Sequence, residues 1–185
     1  MRMYGDVIMG GFGGQGIQVI SQLVVEAAIR KGLEVTYLPS YGVEKRGGRT
    51  TVTVVLSDHE IGSPITNHPL CVIAMDVLAL DKYQAMVAPG GSLIANTSLI
   101  PDEKIERGDI SAITIRCNEE ALSLGTAKVA NMIALGAFLE RSPILGFDDI
   151  ERVMGDVFPE RLHAKIPLNL KALTRGMEIA AAVPV

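Results

Sequence analysis

The sequence predicts a single α/β domain, and three observations lead there. Apolar, strand-like runs alternate with segments of helical period, the pattern of a mostly parallel sheet flanked by helices. The 185 residues suffice for one domain with a sizeable core, and 48% of them are hydrophobic, so the chain should pack. The chain also opens on a strand, a glycine turn and a helix. The turn is Gly10-Gly11-Phe12-Gly13-Gly14-Gln15-Gly16, with five glycines in seven residues. That opening is a nucleotide-type βαβ unit, and the expected architecture over residues 1–185 is Rossmann-like.

The elements follow in order. Residues 6–9 are a buried first strand. Residues 17–31 are a helix whose apolar face is Ile17, Ile20, Leu23, Val24, Ala27 and Ala28. Gly32 ends it. A second strand covers 34–38, and Pro39 is expected to stop it. Residues 40–49 have no apolar period and are dense in charge and glycine, so they form a loop. Residues 50–56 alternate as a strand. With the turn 57–60 and a short return from Ile61, they suggest an edge β-hairpin. Residues 70–74 are a fully apolar strand, and Asp76 is placed to cap a helix reaching Val87. Residues 92–95 and 111–117 are further strands. Helices are expected at Asn118 onward, over 126–139 and 148–158, and over 160–182 with an interruption at Pro167. Cutting the chain in two would leave halves too small to bury much core.

Composition excludes several functions. Net charge is −4 and no basic cluster exceeds Lys45-Arg46, which argues against a nucleic-acid surface. No apolar stretch reaches the roughly 18 residues of a membrane span, and no apolar leader opens the chain, so a cytoplasmic location is expected. Cys71 and Cys117 each lie in an apolar run and should be buried. Two separated cysteines cannot alone hold an iron–sulfur cluster or a structural zinc, and no metal site is expected. His59, His68 and His163 lack the spacing of metal ligands and read as surface residues. No nucleophile elbow or general base stands out, so the chain looks like a binding or assembly subunit.

A site would lie at the carboxyl ends of the parallel strands. Gly11, Gly13 and Gly16 fit G-x-G-x-x-G and leave N–H groups at a helix start, which suits an anion. If the strand order is Rossmann-like, the loop after the second strand is a neighbour. Lys45, Arg46 and Arg49 would then form an anion-attracting rim. Asp76 and Asn96 also fall at strand ends, where capping and turn duty are the expected roles. A dinucleotide reading lacks the acidic residue at the end of the second strand. Leu38-Pro39-Ser40 stands there, and Glu44 lies too far into the loop. Ligand contact and packing against another subunit both remain open for the glycine loop.

Two stretches together are more specific. Gly11-Phe12-Gly13-Gly14-Gln15-Gly16 is followed about 25 residues on by Pro39-Ser40-Tyr41-Gly42-Val43-Glu44-Lys45-Arg46-Gly47-Gly48. The pair resembles the gamma subunit of the 2-oxoacid:ferredoxin oxidoreductases. The asparagine-bearing segment 127–136 and Pro167-Leu168-Asn169-Leu170-Lys171-Ala172 are similar to later segments of that family. The resemblance covers essentially the whole chain. Lys45, beside the arginine, departs from the pattern.

The resemblance implies an enzyme that decarboxylates a 2-oxoacid oxidatively to an acyl-CoA, using thiamine diphosphate with magnesium, and passes electrons through [4Fe-4S] clusters to ferredoxin. It implies alpha and beta partners that hold the thiamine diphosphate, with clusters on the beta or a delta chain. The gamma chain, inactive alone, would serve assembly and part of the coenzyme A site. Gly11, Gly13, Gly14, Gln15, Gly16, Tyr41, Arg46, Gly47 and Gly48 would shape the interface or the coenzyme A approach. The Pro-Ser-Tyr-Gly form leans slightly toward 2-oxoglutarate and branched-chain oxoacids, with pyruvate also open. The competing readings are a free-standing Rossmann-type nucleotide-binding protein, an NAD(P)-linked oxidoreductase, and a purely structural scaffold.

Overall fold

The computed structural model describes residues 3–42 and 48–184. Its elements are β1 (Tyr4–Phe12), α1 (Ile17–Arg30), β2 (Glu34–Tyr41), β3 (Arg49–Ser57), β4 (Cys71–Ala74), α2 (Val77–Tyr83), β5 (Ser92–Asn96), β6 (Ser111–Ile115), α3 (Cys117–Ser123), α4 (Ala130–Arg141), α5 (Phe147–Val157) and α6 (Ile166–Ala181). The strands form one sheet in the order β2-β3-β1-β4-β5-β6. β1, β4, β5 and β6 are parallel, and β3 runs antiparallel between β1 and β2.

Alternation along the strands divides the core into two layers. Val7 and Met9 pack with Val52, Val54, Ile73 and Ile94 beneath α1, α4, α5 and α6. Ile8 faces the other way and packs with Val72, Leu93 and Ala95 against Leu80 and Tyr83 of α2. The apolar face expected of α1 is the buried one, from Ile17 through Ala28. α4 is buried from Ala130 to Leu139 because it lies against α6, α1 and the sheet.

Several local expectations are corrected. β2 does not stop at Pro39 but continues to Tyr41, with Pro39 opposite Val52. It lies at the sheet's edge, where a proline can be accommodated. The strand over 50–56 is not half of an edge pair with a return at Ile61. Among the described residues none of 58–70 is in a strand, and β3 is an inner strand paired on both sides. Val52, Val54, Val55 and Leu56 are all buried, which suits an inner strand with covered faces. The long helix over 126–139 is a 3₁₀ turn, Ala127–Val129, leading into α4. The last helical stretch is a 3₁₀ segment, Glu160–Lys165, followed by α6. Pro167 starts α6 rather than breaking it, since a first-turn N–H has no intrahelical partner to lose. The helix after Asp76 is α2 to Tyr83 followed by a 3₁₀ turn, Gln84–Met86, that stops at Val87.

Candidate functional site

The crevice at the carboxyl ends of β1 and β4 is where the chain changes sides. α1, after β1, packs on one face of the sheet, and α2, after β4, packs on the other. Such a switch point is the usual ligand crevice of an open α/β sheet.

The glycine loop is braced from within. Gln15 folds back, so that its Oε1 accepts the Phe12 N–H at 2.8 Å and its Nε2 donates to the Met75 carbonyl at 3.0 Å. The Gln15 N–H donates to the Phe12 carbonyl at 3.2 Å, and the Gly13 N–H to the Gly48 carbonyl at 2.8 Å. Three N–H groups that could have faced an anion are therefore engaged inside the protein. Gly16 caps α1 in the left-handed region, at φ 74°, and its carbonyl accepts from Asn131 Nδ2 at 3.2 Å. A Cβ at this position would meet the Asn131 amide, so the left-handed conformation favours glycine and any other residue would displace that side chain.

The bond from Gly13 to Gly48 joins the two motifs. Adjacent parallel strands were expected to bring them together. Instead β3 starts beside the end of β1, with Arg49 opposite Phe12. Gly42 closes the base of the second loop by donating to the Arg49 carbonyl at 2.8 Å. Tyr41 is exposed, and its hydroxyl accepts from Gln18 Nε2 on α1 at 2.7 Å. Arg46 and Gly47, with Val43, Glu44 and Lys45, lie outside the described residues. Of the predicted residues, Gly11, Gly13, Gly14, Gln15, Gly16, Tyr41 and Gly48 meet at this one place.

Two side chains read as capping residues do cap. Asp76 Oδ1 accepts the Ala79 N–H at 2.8 Å, which starts α2. Asn96 is fully buried. Its Oδ1 accepts from the Cys117 N–H at 3.1 Å and the Ser98 N–H at 3.3 Å, while its Nδ2 donates to the Met75 carbonyl at 3.3 Å. Met75 thus receives Gln15 from one side and Asn96 from the other. This row of amides ties the carboxyl ends of β1, β4 and β5 to the start of α3. Asn131 enters the sequence reading only as the asparagine of the segment 127–136, with no role attached, and Gln18 does not enter it. Each is an ordinary polar residue on a helix, and its partner is far away in the chain.

Two small clefts flank the loop. One, of about 160 Å³, is lined by Gly11, Tyr41, Arg49, Asp76 and Lys82 among others. The second, of about 180 Å³, lies between Phe12, Gln15, Asn118 and Lys128. Phe12, Tyr41, Leu78 and Leu99 are all exposed along the walls of these clefts. Arg49 and Lys82 suit a phosphate, although a cleft of about 160 Å³ is smaller than the roughly 300–1,000 Å³ of a complete small-molecule site.

The described residues do not fit a thiamine diphosphate–metal or iron–sulfur site. Among them no group of three or more His, Cys, Asp or Glu could hold a metal ion. Cys71 and Cys117 are buried, and burial pushes the Cys117 thiol up to about 12 and that of Cys71 well above the usual range. Both are therefore protonated thiols at neutral pH. The three histidines are exposed. Among the described residues no helix is long and apolar enough to cross a membrane.

Fold and site thus define an α/β domain with a self-braced glycine loop beside an exposed apolar rim. The family model for pyruvate ferredoxin/flavodoxin oxidoreductase matches residues 6–179, and the chain belongs to that family, within which it matches the gamma-subunit chains. The 2-oxoglutarate synthase subunit KorC of Methanocaldococcus jannaschii is 30% identical over 184 residues, covering 97% of this chain and 96% of its own. The ketoisovalerate oxidoreductase subunit VorA of Methanothermobacter marburgensis is 32% identical over 177 residues, but the match spans only 36% of that longer chain. The crystal structure of a keto/oxoacid ferredoxin oxidoreductase gamma subunit from Geobacter sulfurreducens superimposes with a TM-score of 0.83, at 28% identity and 98% coverage of both chains.

Proposed function

We propose that this chain acts as a single-domain gamma subunit of a 2-oxoacid:ferredoxin oxidoreductase, assembled with alpha and beta chains and, in some arrangements, a delta chain. The complex would oxidatively decarboxylate a 2-oxoacid to an acyl-CoA and carbon dioxide, with electrons passed to ferredoxin. Thiamine diphosphate, magnesium and the [4Fe-4S] clusters would lie on the partner chains, since the residues described here do not fit them. The observation that carries this reading is the hydrogen bond from Gly13 to Gly48, which joins both family motifs beside an exposed rim of Phe12, Tyr41, Leu78 and Leu99. A glycine loop with three of its N–H groups engaged internally suits a docking platform better than a dinucleotide cradle. Exposed large apolar side chains grouped around one loop suit an interaction site.

The likeness to KorC and VorA favours 2-oxoglutarate or a branched-chain oxoacid as substrate. Copurification from the native host tests the assignment. The tagged chain should bring down partner subunits that reduce viologen dye with a 2-oxoacid and coenzyme A, and a panel of oxoacids would name the substrate. A lone chain that binds a nucleotide would overturn it. Coenzyme A would reach the rim with its phosphates near Arg49 and Lys82, and Arg46 would supply further charge. In the assembled complex Arg49→Ala should raise the Michaelis constant for coenzyme A about tenfold, the loss of one charge-assisted contact, with assembly intact. Unchanged kinetics would leave the loop with assembly alone.

A further inference from the structure

On the helical layer, behind Gly16, lies a groove of about 530 Å³ with a mainly apolar lining. It is bounded by Val19 in the first turn of α1, Lys128 and Val129 ahead of α4, Phe158 after α5, and Lys165 and Leu168 at the start of α6. Its size falls within the roughly 300–1,000 Å³ of small-ligand sites. Its charge is one-sided. Lys128 and Lys165 are exposed on it, no Asp or Glu lines it, and neither lysine forms an ion pair among the described residues. The amino ends of α1, α4 and α6 border the groove, but so do the carboxyl ends of α3 and α5. The helix dipoles therefore partly offset one another, and the preference for negative charge rests on the two lysines.

We propose that this groove binds a small amphipathic anion, an apolar ring or chain carrying one carboxylate, phosphate or sulfonate, with its head group drawn to Lys128 and Lys165. An apolar floor alone would accept any hydrophobic molecule. Two cations with no carboxylate on the walls select the anionic one, because the charged head gains partners that a neutral analogue lacks. The groove borders the glycine loop, since Gly16 lines it and Lys128 and Asn131 line both it and the cleft beside Gln15. The inference does not rest on the subunit assignment.

The test titrates the full chain with 8-anilinonaphthalene-1-sulfonate and, in parallel, with uncharged N-phenyl-1-naphthylamine, which keeps the same rings. The sulfonate should bind saturably at one site. The double variant Lys128→Ala/Lys165→Ala should bind it about tenfold more weakly while affinity for the neutral probe changes less than about twofold, as expected for lost charge-assisted contacts. Both lysines are exposed, so the variant should melt with the parent, which separates lost affinity from lost fold. Val19→Trp, which fills the floor, should weaken both probes. Equal loss of both probes in the lysine variant, or no loss of either, would overturn the proposal. So would sulfonate binding by the isolated chain that disappears in the assembled complex, because the groove would then be covered by a partner subunit.

Discussion

At the end of β1, Gly16 adopts a left-handed turn and carries the chain into α1. At the crossing of α4 and α6, Gly136 and Gly176 sit in ordinary helical backbone and let two helices touch. A Cβ on Gly176 would press into the Ile133 carbonyl, and one on Gly136 into the Leu173 carbonyl. The obstacle at Gly16 is the end of a side chain, the Asn131 amide, which can rotate away. The same residue type thus serves a conformation in one region and a distance in the other. Side chains can yield, whereas packed helix backbones move only together with their layers. The helical crossing should therefore be the less forgiving region, although the loop carries the recognisable motif.

One substitution made in both regions tests this. Gly176→Ala should lower stability most, by about 3 kcal/mol, as expected of overpacking against rigid atoms. Helix propensity alone gives the opposite sign, since alanine is favoured over glycine by about 1 kcal/mol inside a helix. Urea denaturation of the full chain decides between the two. A gain in stability would show that the α4–α6 contact can open at little cost. Gly16→Ala should cost about 2 kcal/mol, from the left-handed backbone and the disturbed hydrogen bond with Asn131. If Gly16→Ala proved the costlier change, the ranking of the two regions would be reversed.

Gln15→Ala sharpens the loop's side of the comparison. It removes the acceptor for the exposed Phe12 N–H and one of two donors to the Met75 carbonyl, which keeps Asn96, so about 1 kcal/mol should be lost. Recovery of partner chains in copurification should fall much further, because the rim is shaped by that fold-back. Loss of stability with full recovery would mean that the brace holds the loop without serving assembly.

These cases also show what the sequence makes legible. The apolar runs at β1, β4, β5 and β6, the buried face of α1 and the cap at Asp76 follow from local period and local chemistry. The place of β3 does not. Its alternating pattern is that of a strand, but which neighbours it pairs with depends on residues far along the chain. Pro39 was read by the same local logic as a stop, and edge position makes it tolerable. The two motifs were legible as a pair. The bond between Gly13 and Gly48 was not, because it arises from an antiparallel strand starting beside β1. Gln15 reaches a carbonyl 60 positions away and Asn131 one 115 positions away, separations no spacing rule covers. Nothing in the local sequence around Gly136 and Gly176 shows that the two helices cross at those positions.

The smallest effect belongs to the helical layer, where Asp149 ties α5 to the end of α1. Its carboxylate accepts the Gly146 N–H at 3.0 Å and the Lys31 ammonium at 3.0 Å. Burial pushes this carboxyl up, but Gly146, Lys31 and Arg152 outweigh burial and hold it below the usual aspartate range. A carboxyl depressed by folding stabilises the protein fully above its unfolded pKa, about 3.9, and that contribution disappears as pH falls through the lower folded value. Asp149→Ala should thus cost about 1 kcal/mol at pH 7, with the gap to the parent closing in strong acid. Asp149→Asn keeps an acceptor for Gly146 and loses the charge, so about half that cost should remain at pH 7 if cap and ion pair contribute equally. Melting curves from pH 7 down to about pH 2 would measure both gaps. A gap for Asp149→Ala that stays constant with pH would mean that the tie acts through packing and the cap alone. The helical layer would then depend on backbone contact at α4–α6 and not on the charge shared by Lys31 and Asp149.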